Sequence, residues 1–252
     1  MNSLIDTNFD FTTDNNYWEN FWARREGLGG GSCDPDSKSS TLRKYHSLLW
    51  SKQLPNGEFM NLQYGSPKSK NYLIWKNFRF ASDSIITTFR YNRMKPIILE
   101  LEKLIPNYRK WMENFVRQSY TIGGMLIFPK HQNSINGCRG TNPKIRDRID
   151  LTMECIRRYY SNEKSPISWV LEKDRKFFDL FVDFKGYVDF FLMQDIISED
   201  YKSVKFFLDF DDFNFHPLPQ NVDEYLLWHQ HSMTFLTARN NRINRWLSKI
   251  NE

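Results

Sequence analysis

The 252-residue chain carries 35 Lys and Arg against 30 Asp and Glu, a formal charge of +5, with 40% hydrophobic and 16% aromatic residues. These values fit one globular domain with a substantial core. They exclude a disordered chain, a collagen and a coiled-coil rod. No run approaches the length of a membrane span, the first residues carry no leader pattern, and Cys33, Cys138 and Cys155 are too few for a disulfide framework. The expectation is a cytoplasmic protein with no membrane partner.

Residues 1–37 read as an N-terminal arm. Tyr17, Trp18, Phe21 and Trp22 have the spacing of a short amphipathic helix, and the glycine-rich run from Gly27 to Ser32 reads as a hinge. A single globular domain is expected over 38–252. Ser40 or Thr41 can cap a helix whose buried stripe is Leu42, Tyr45 and Leu49, and Pro55-Asn56-Gly57 turns the chain. Short β-like runs follow at 58–62, 72–75 and 78–89. Residues 96–104 read as a helix, and a second helix carries Trp111, Phe115 and Val116. Residues 120–128 read as a buried strand, in which Gly123 and Gly124 imply a bulge or a close backbone approach.

Asn142-Pro143 reads as a helix start, and helical spacing returns from Ser165-Pro166 through Val182 and again over 187–197. Asn221 and Glu224 form a capping-box pattern. After it, Val222, Leu226, His229, Met233, Leu236, Asn240, Ile243, Leu247 and Ile250 alternate steps of four and three. That seam should pack on the body or on a second copy of the chain, giving a homo-dimer. The fold class expected is α+β: a mostly helical single domain with a small antiparallel sheet in the middle third and a long C-terminal helix.

Charge is segregated. Residues 38–80 hold eight bases against Glu58 alone, and 130–158 hold seven bases against three acids. Residues 172–212 hold eleven acids against six bases. A basic surface facing nucleic acid or a nucleotide is the partner this pattern suggests. Aromatics interleaved in the first block are core residues or stacking platforms.

His46 flanks the Leu42–Tyr45–Leu49 stripe, and its imidazole suits general acid–base work. Arg43 and Lys52 could hold a phosphate beside it. In the second block, Asn136, Arg139, Asn142, Lys144 and Arg148 surround the expected helix start at Asn142, where a helix dipole and free N–H groups favour an anion. Asp147 could position an arginine or act as a base. The plain alternatives are a satisfied interfacial histidine and a capped helix with surface ion pairs. Asp209 and Asp211 read as a half-buried edge strand or turn rather than a magnesium site. His229 and His231 fall on different helix faces, so no metal and no cofactor are implied.

Several blocks resemble an uncharacterised bacterial family. They are Ser40–His46 with Leu49–Lys52, Tyr120–Gly124, Asn136–Gly140, Asp150–Thr152 with Glu154–Arg158, and Phe184–Val188. The resemblance spans about residues 34–245. It implies a single domain and brings no activity.

Two functional readings remain. In the first, the chain processes nucleic acid or nucleotides as a metal-independent, nuclease-like effector of bacterial defence or toxin type. His46 would be the base and Arg139 or Lys52 the charge stabiliser, with Asp147 positioning an arginine or acting as a base. In the second, it is a non-enzymatic binding module or sensor for a phosphate-bearing ligand, dimeric through its last helix. A purely structural interaction protein is the residual case.

Overall fold

The computed structural model describes residues 5–14, 17–26, 34–65, 72–86, 89 and 91–250. Helices α1 (Tyr17–Arg25), α2 (Pro35–Lys38) and α3 (Ser40–Trp50) precede a four-stranded antiparallel sheet. Its strands β1 (Gln63–Tyr64), β2 (Leu73–Trp75), β3 (Phe78–Ser84) and β4 (Met125–Pro129) neighbour one another in chain order. Helices α4 (Tyr91–Leu104) and α5 (Tyr108–Ser119) lie between β3 and β4. After β4 come α6 (Ile135–Thr141), α7 (Ile149–Tyr160), the short α8 (Ser168–Lys173), α9 (Arg175–Phe178) and α10 (Phe184–Phe190), and the 29-residue α11 (Val222–Ile250). This is the α+β, mostly helical arrangement expected from the sequence.

Local chemistry explains the elements and their corrections. The cap of α3 is Ser39, one residue earlier than expected: its Oγ accepts from the Leu42 N–H at 2.9 Å. The stripe Leu42, Tyr45 and Leu49 is buried as the spacing predicts. Residues 58–62 stay outside the four strands, apart from an isolated bridge between Gln53 and Phe59. The run at 120–128 is not all strand. Ile122–Gly124 forms a 3-10 turn, and β4 begins at Met125. All of β4 is buried, so it is the axis of the core.

The helix start at Asn142 is overturned. Asn142 ends α6 as its C-cap, and α7 begins only at Ile149 after Arg148. The Asn142 side-chain oxygen accepts from the Lys144 N–H at 2.9 Å within the intervening turn. Proline serves at either end of a helix, because it cannot continue one already formed. Here the helix lies before it, so the free N–H groups assigned to Asn142 are absent.

The capping pattern forms with a shifted return bond: Asn221 Oδ1 accepts from the Glu224 N–H at 2.8 Å, and the Glu224 carboxylate takes the Gln220 N–H at 2.9 Å, one residue before the cap. The α11 seam packs on the chain's own α4, α5 and Ile122–Gly124 turn. Arg239, fully buried, donates to four backbone carbonyls, those of Gly123, Met125, Phe191 and Leu192. Asn240 accepts from the Gly123 N–H and donates to Thr121 Oγ1, both at 2.7 Å. Asn240 of the seam and its neighbour Arg239 therefore anchor the turn that leads into β4. Residues 5–26 contribute Ile5, Phe11, Tyr17, Phe21 and Trp22 to the same apolar core. The Gly27–Ser32 run lies outside the described residues.

Gly124 is forced by proximity. A Cβ there would lie 1.9 Å from the Ser119 carbonyl oxygen, whereas one at Gly137 would meet nothing within 4 Å. Gly124→Ala is expected to lower the melting temperature severely or prevent folding. Gly137→Ala should raise stability by up to about 1 kcal/mol through helix propensity. Thermal denaturation of both variants checks the pair.

Candidate active site

Four carboxylates converge where the polar end of β3 meets α2. Asp34 caps α2, its side chain accepting from the Asp36 N–H at 3.2 Å. Asp36 lies in the first turn of α2 and takes the Ser84 N–H at 3.2 Å. Asp83 sits between Ser82 and Ser84 near the end of β3. Asp147 comes from the turn after α6. It has φ +65° and follows Arg146 at φ +50°, two successive left-handed residues. Gly140 makes room for it: a Cβ there would lie 2.9 Å from both Asp147 carboxylate oxygens.

These acids, with Tyr17, Ser84 and Tyr120, line a chamber of about 170 Å³. An outer cleft of about 720 Å³ shares Tyr17, Asp34, Tyr120 and Asp147 with it, so the two adjoin across these side chains. The outer cleft adds Arg24, Arg25, Arg93 and Arg146 to aromatic walls that include Phe21, Phe89 and Tyr91. Acids thus occupy the floor and arginines the mouth.

Burial dominates the electrostatics. Asp36 is pushed well above the ordinary carboxylate range, first by burial and then by the charges of Asp34 and Asp83. Asp83 is pushed up to about 7, again by burial first. Arg139 pulls it down and Asp147 pushes it up. The Asp83 side chain keeps 22% of its surface exposed, so a ligand in the chamber can reach it.

Arg139 and His46, expected to act together, hold consecutive residues of β3. Arg139 is fully buried on α6 and pairs with Asp83. It also donates to the Ser84 carbonyl at 3.2 Å, the Asp147 carbonyl at 2.9 Å and Thr152 Oγ1 at 3.3 Å. His46 is fully buried on α3. The Trp50 indole N–H donates to its Nδ1 at 3.0 Å, and its Nε2 lies 2.9 Å from Ser82 Oγ. Indole only donates, so Nδ1 must accept and the neutral ring carries its proton on Nε2. That N–H donates to Ser82 Oγ, which donates to Asp36 Oδ1 at 3.4 Å.

Burial, assisted by Arg239, lowers the His46 pKa to about 3. The ring therefore stays neutral and does not line the cleft; it orients Ser82 and Asp36. Asp147, by contrast, lines both chambers.

The remaining expected ligand residues lie away from this cleft. Arg43 is half-buried on α3. Lys52 donates to the Phe190 carbonyl at 2.6 Å and sits over the rings of Trp50, Phe190 and Trp246. Asn136 accepts from Ser134 Oγ, and Asn142 donates to the Pro166 carbonyl. Lys144 donates to the Asn214 carbonyl. Arg148 forks onto buried Asp150 and donates to the Pro217 carbonyl, while Asp150 takes the Phe207 N–H. These are fold-holding contacts.

Sequence reasoning missed Asp34, Asp36, Asp83 and the arginines of the mouth. Two signals were present: Asp34-Pro35-Asp36 is a helix-start pattern, and Asp83 is an acid inside a β-like run. Among the described residues, no three His, Cys, Asp or Glu side chains gather closely enough to hold a metal ion, and no helix is long and apolar enough to cross a membrane.

A sequence model for a family of unknown function, DUF6994, matches residues 5–243. The chain belongs to that family. No curated protein and no solved structure matches it. The matched region includes the acid chamber, the arginine mouth and all of the sheet.

Two outcomes test the electrostatics. Asp36 binds its proton more tightly folded than unfolded, so its charge weakens folding increasingly as pH rises above the ordinary carboxylate range. Asp36→Asn removes that penalty. Its melting temperature should gain on the wild type as pH rises from about 4 to about 8; a constant difference would contradict the raised pKa. Arg139→Ala removes a fully buried guanidinium, leaving Asp83 without its cation and the Ser84 and Asp147 carbonyls without their donor, and is expected to cost about 3 kcal/mol or more in chemical denaturation.

Proposed function

We propose that the chain is a nucleotide-processing enzyme. A phosphate-bearing small molecule binds in the cleft, and the inner carboxylates supply general acid–base catalysis. One observation carries this reading: four half-buried carboxylates gather in a chamber that adjoins a mouth of four arginines.

Guanidinium forks match phosphate geometry, so Arg24, Arg93 and Arg146 are assigned to the phosphates. Arg25 is packed over Phe21, Trp22 and Tyr91 and donates to the Tyr108 hydroxyl, so it stiffens the wall. The outer volume is in the range of small-molecule sites, and the inner chamber suits one sugar ring or a few waters. At a pKa of about 7, Asp83 exists in both forms near neutrality. Its carboxylate accepts a proton from an attacking hydroxyl or water, and its acid form returns one to the leaving group. Asp36, protonated and oriented by Ser82 and the Ser84 N–H, donates a hydrogen bond rather than bearing charge.

A nuclease-like effector of a bacterial defence or toxin system would apply the same groups to a strand end. A ligand sensor would keep the arginines and lack turnover.

The test incubates the protein with a panel of nucleoside mono-, di- and triphosphates, with binding measured by calorimetry and turnover by chromatography. Asp83→Asn should reduce turnover by about 100-fold or more while binding changes little. Arg93→Ala with Arg146→Ala should weaken binding about tenfold or more. Binding without turnover contradicts the catalytic half and favours the sensor; no binding contradicts both.

A further inference from the structure

A second cavity, of about 820 Å³, lies at the other end of β3. The β2–β3 turn supplies Trp75, Lys76, Phe78 and Arg79, the end of β4 supplies Lys130 and His131, and α8–α9 supply Lys173, Arg175 and Lys176. Arg79 and Asp83 are four residues apart on one strand, so roughly 13 Å of β3 separates this groove from the acid chamber.

Six lysines and arginines line the groove against three acids, Glu58, Glu172 and Asp174. Each acid already has a partner. Glu58 pairs with Lys76 at 2.9 Å, Glu172 with Arg175, and Asp174 with His131 at 2.6 Å. The groove therefore keeps an excess of positive charge, centred on Arg79, Lys130, Lys173 and Lys176. The floor is aromatic: Trp75 and Phe78 stack with centroids 6.0 Å apart and planes 10° apart, and Phe177 meets Phe78 edge-on at 6.2 Å. Phe78 is only half-buried, so ring surface remains open to the groove.

Charge and volume alone would also suit a small anion. The distribution argues for a chain: the cations come from separate elements around an open groove, from the β2–β3 turn to α9, instead of converging on one point. A cationic track beside a partly exposed aromatic ring, here Phe78 backed by the buried Trp75 and Phe177, suits a single strand, whose phosphates follow the charges while a base stacks on the ring. The track also joins the two basic sequence blocks, through Lys76 and Arg79 from the first and Lys130 from the second. Its remaining cations come from the segment that is acidic overall.

We infer that this groove binds a single-stranded nucleic acid, at a site separate from the acid chamber. The inference does not rest on the reading of the cleft.

Fluorescence anisotropy of a labelled mixed-sequence 12-nucleotide single strand tests it. Neutralising about four phosphates gives a log–log salt slope near −3, so affinity should fall about 50-fold between 50 and 200 mM salt. The double variant Lys130→Glu with Lys176→Glu reverses two exposed charges. It should weaken binding at least tenfold, while Lys110→Glu, exposed on α5 and outside both cavities, should change it less than twofold. Polyglutamate of similar length should compete poorly. The inference is overturned by absence of binding at low salt or by an affinity indifferent to the double variant. Polyglutamate competing as well as the oligonucleotide would also overturn it, since the groove would then suit an acidic peptide.

Discussion

Arg139 joins four segments at one fully buried guanidinium: the end of β3 through Asp83 and the Ser84 carbonyl, the Asp147 turn, α7 through Thr152, and its own α6. A buried cation needs both charge balance and hydrogen bonds for all its donors, and each of these contacts answers part of that demand. Asp83 is thereby held at the chamber, and the Asp147 backbone is held in a turn whose left-handed residues turn Asp147 and Arg146 toward the cleft. Asp83 and Asp147 of the acid site, and with them Arg146 of the mouth, are placed by satisfying one guanidinium.

The arrangement is unbalanced toward negative charge. Arg139 pairs with one acid, while Asp34, Asp36 and Asp147 gather in the same chamber. Burial makes Asp36 and Asp83 costly to ionise, so these two retain protons at pH values where surface carboxylates have lost theirs. Trp50, His46 and Ser82 then fix the geometry on the Asp36 side without contributing charge. A protonated carboxyl beside an ionisable one, reached through arginines, is a division of labour suited to moving a proton at a bound phosphate ester or glycoside.

Much of the fold was legible because it depends on periodicity and capping. The α3 stripe follows from spacing, and the Asn221 cap on the Glu224 N–H formed; on α11 the buried line shifts to take in Tyr225 and Trp228, and Leu226 of the expected seam is exposed. The failure at Asn142 had a physical cause: proline marks a helix boundary without saying on which side the helix lies. His46 and Arg139 were recognisable as important, but their roles depend on partners 36 and 56 residues away along the chain. Asp83 looked like a strand residue, and no local pattern reveals that Asp36 from α2 stands beside it. The groove at the start of β3 was half legible, since half its cations lie in a segment whose overall charge is negative.

Carbon-13 NMR titration of the aspartate side-chain carboxyls measures the central claim most directly, with Asp36→Asn and Asp83→Asn used for assignment. The account predicts that Asp83 titrates near 7 and that Asp36 remains protonated well above the ordinary carboxylate range. If both carboxyls instead titrate near 4, as exposed aspartates do, the chamber holds no retained proton and the catalytic reading of the cleft is wrong.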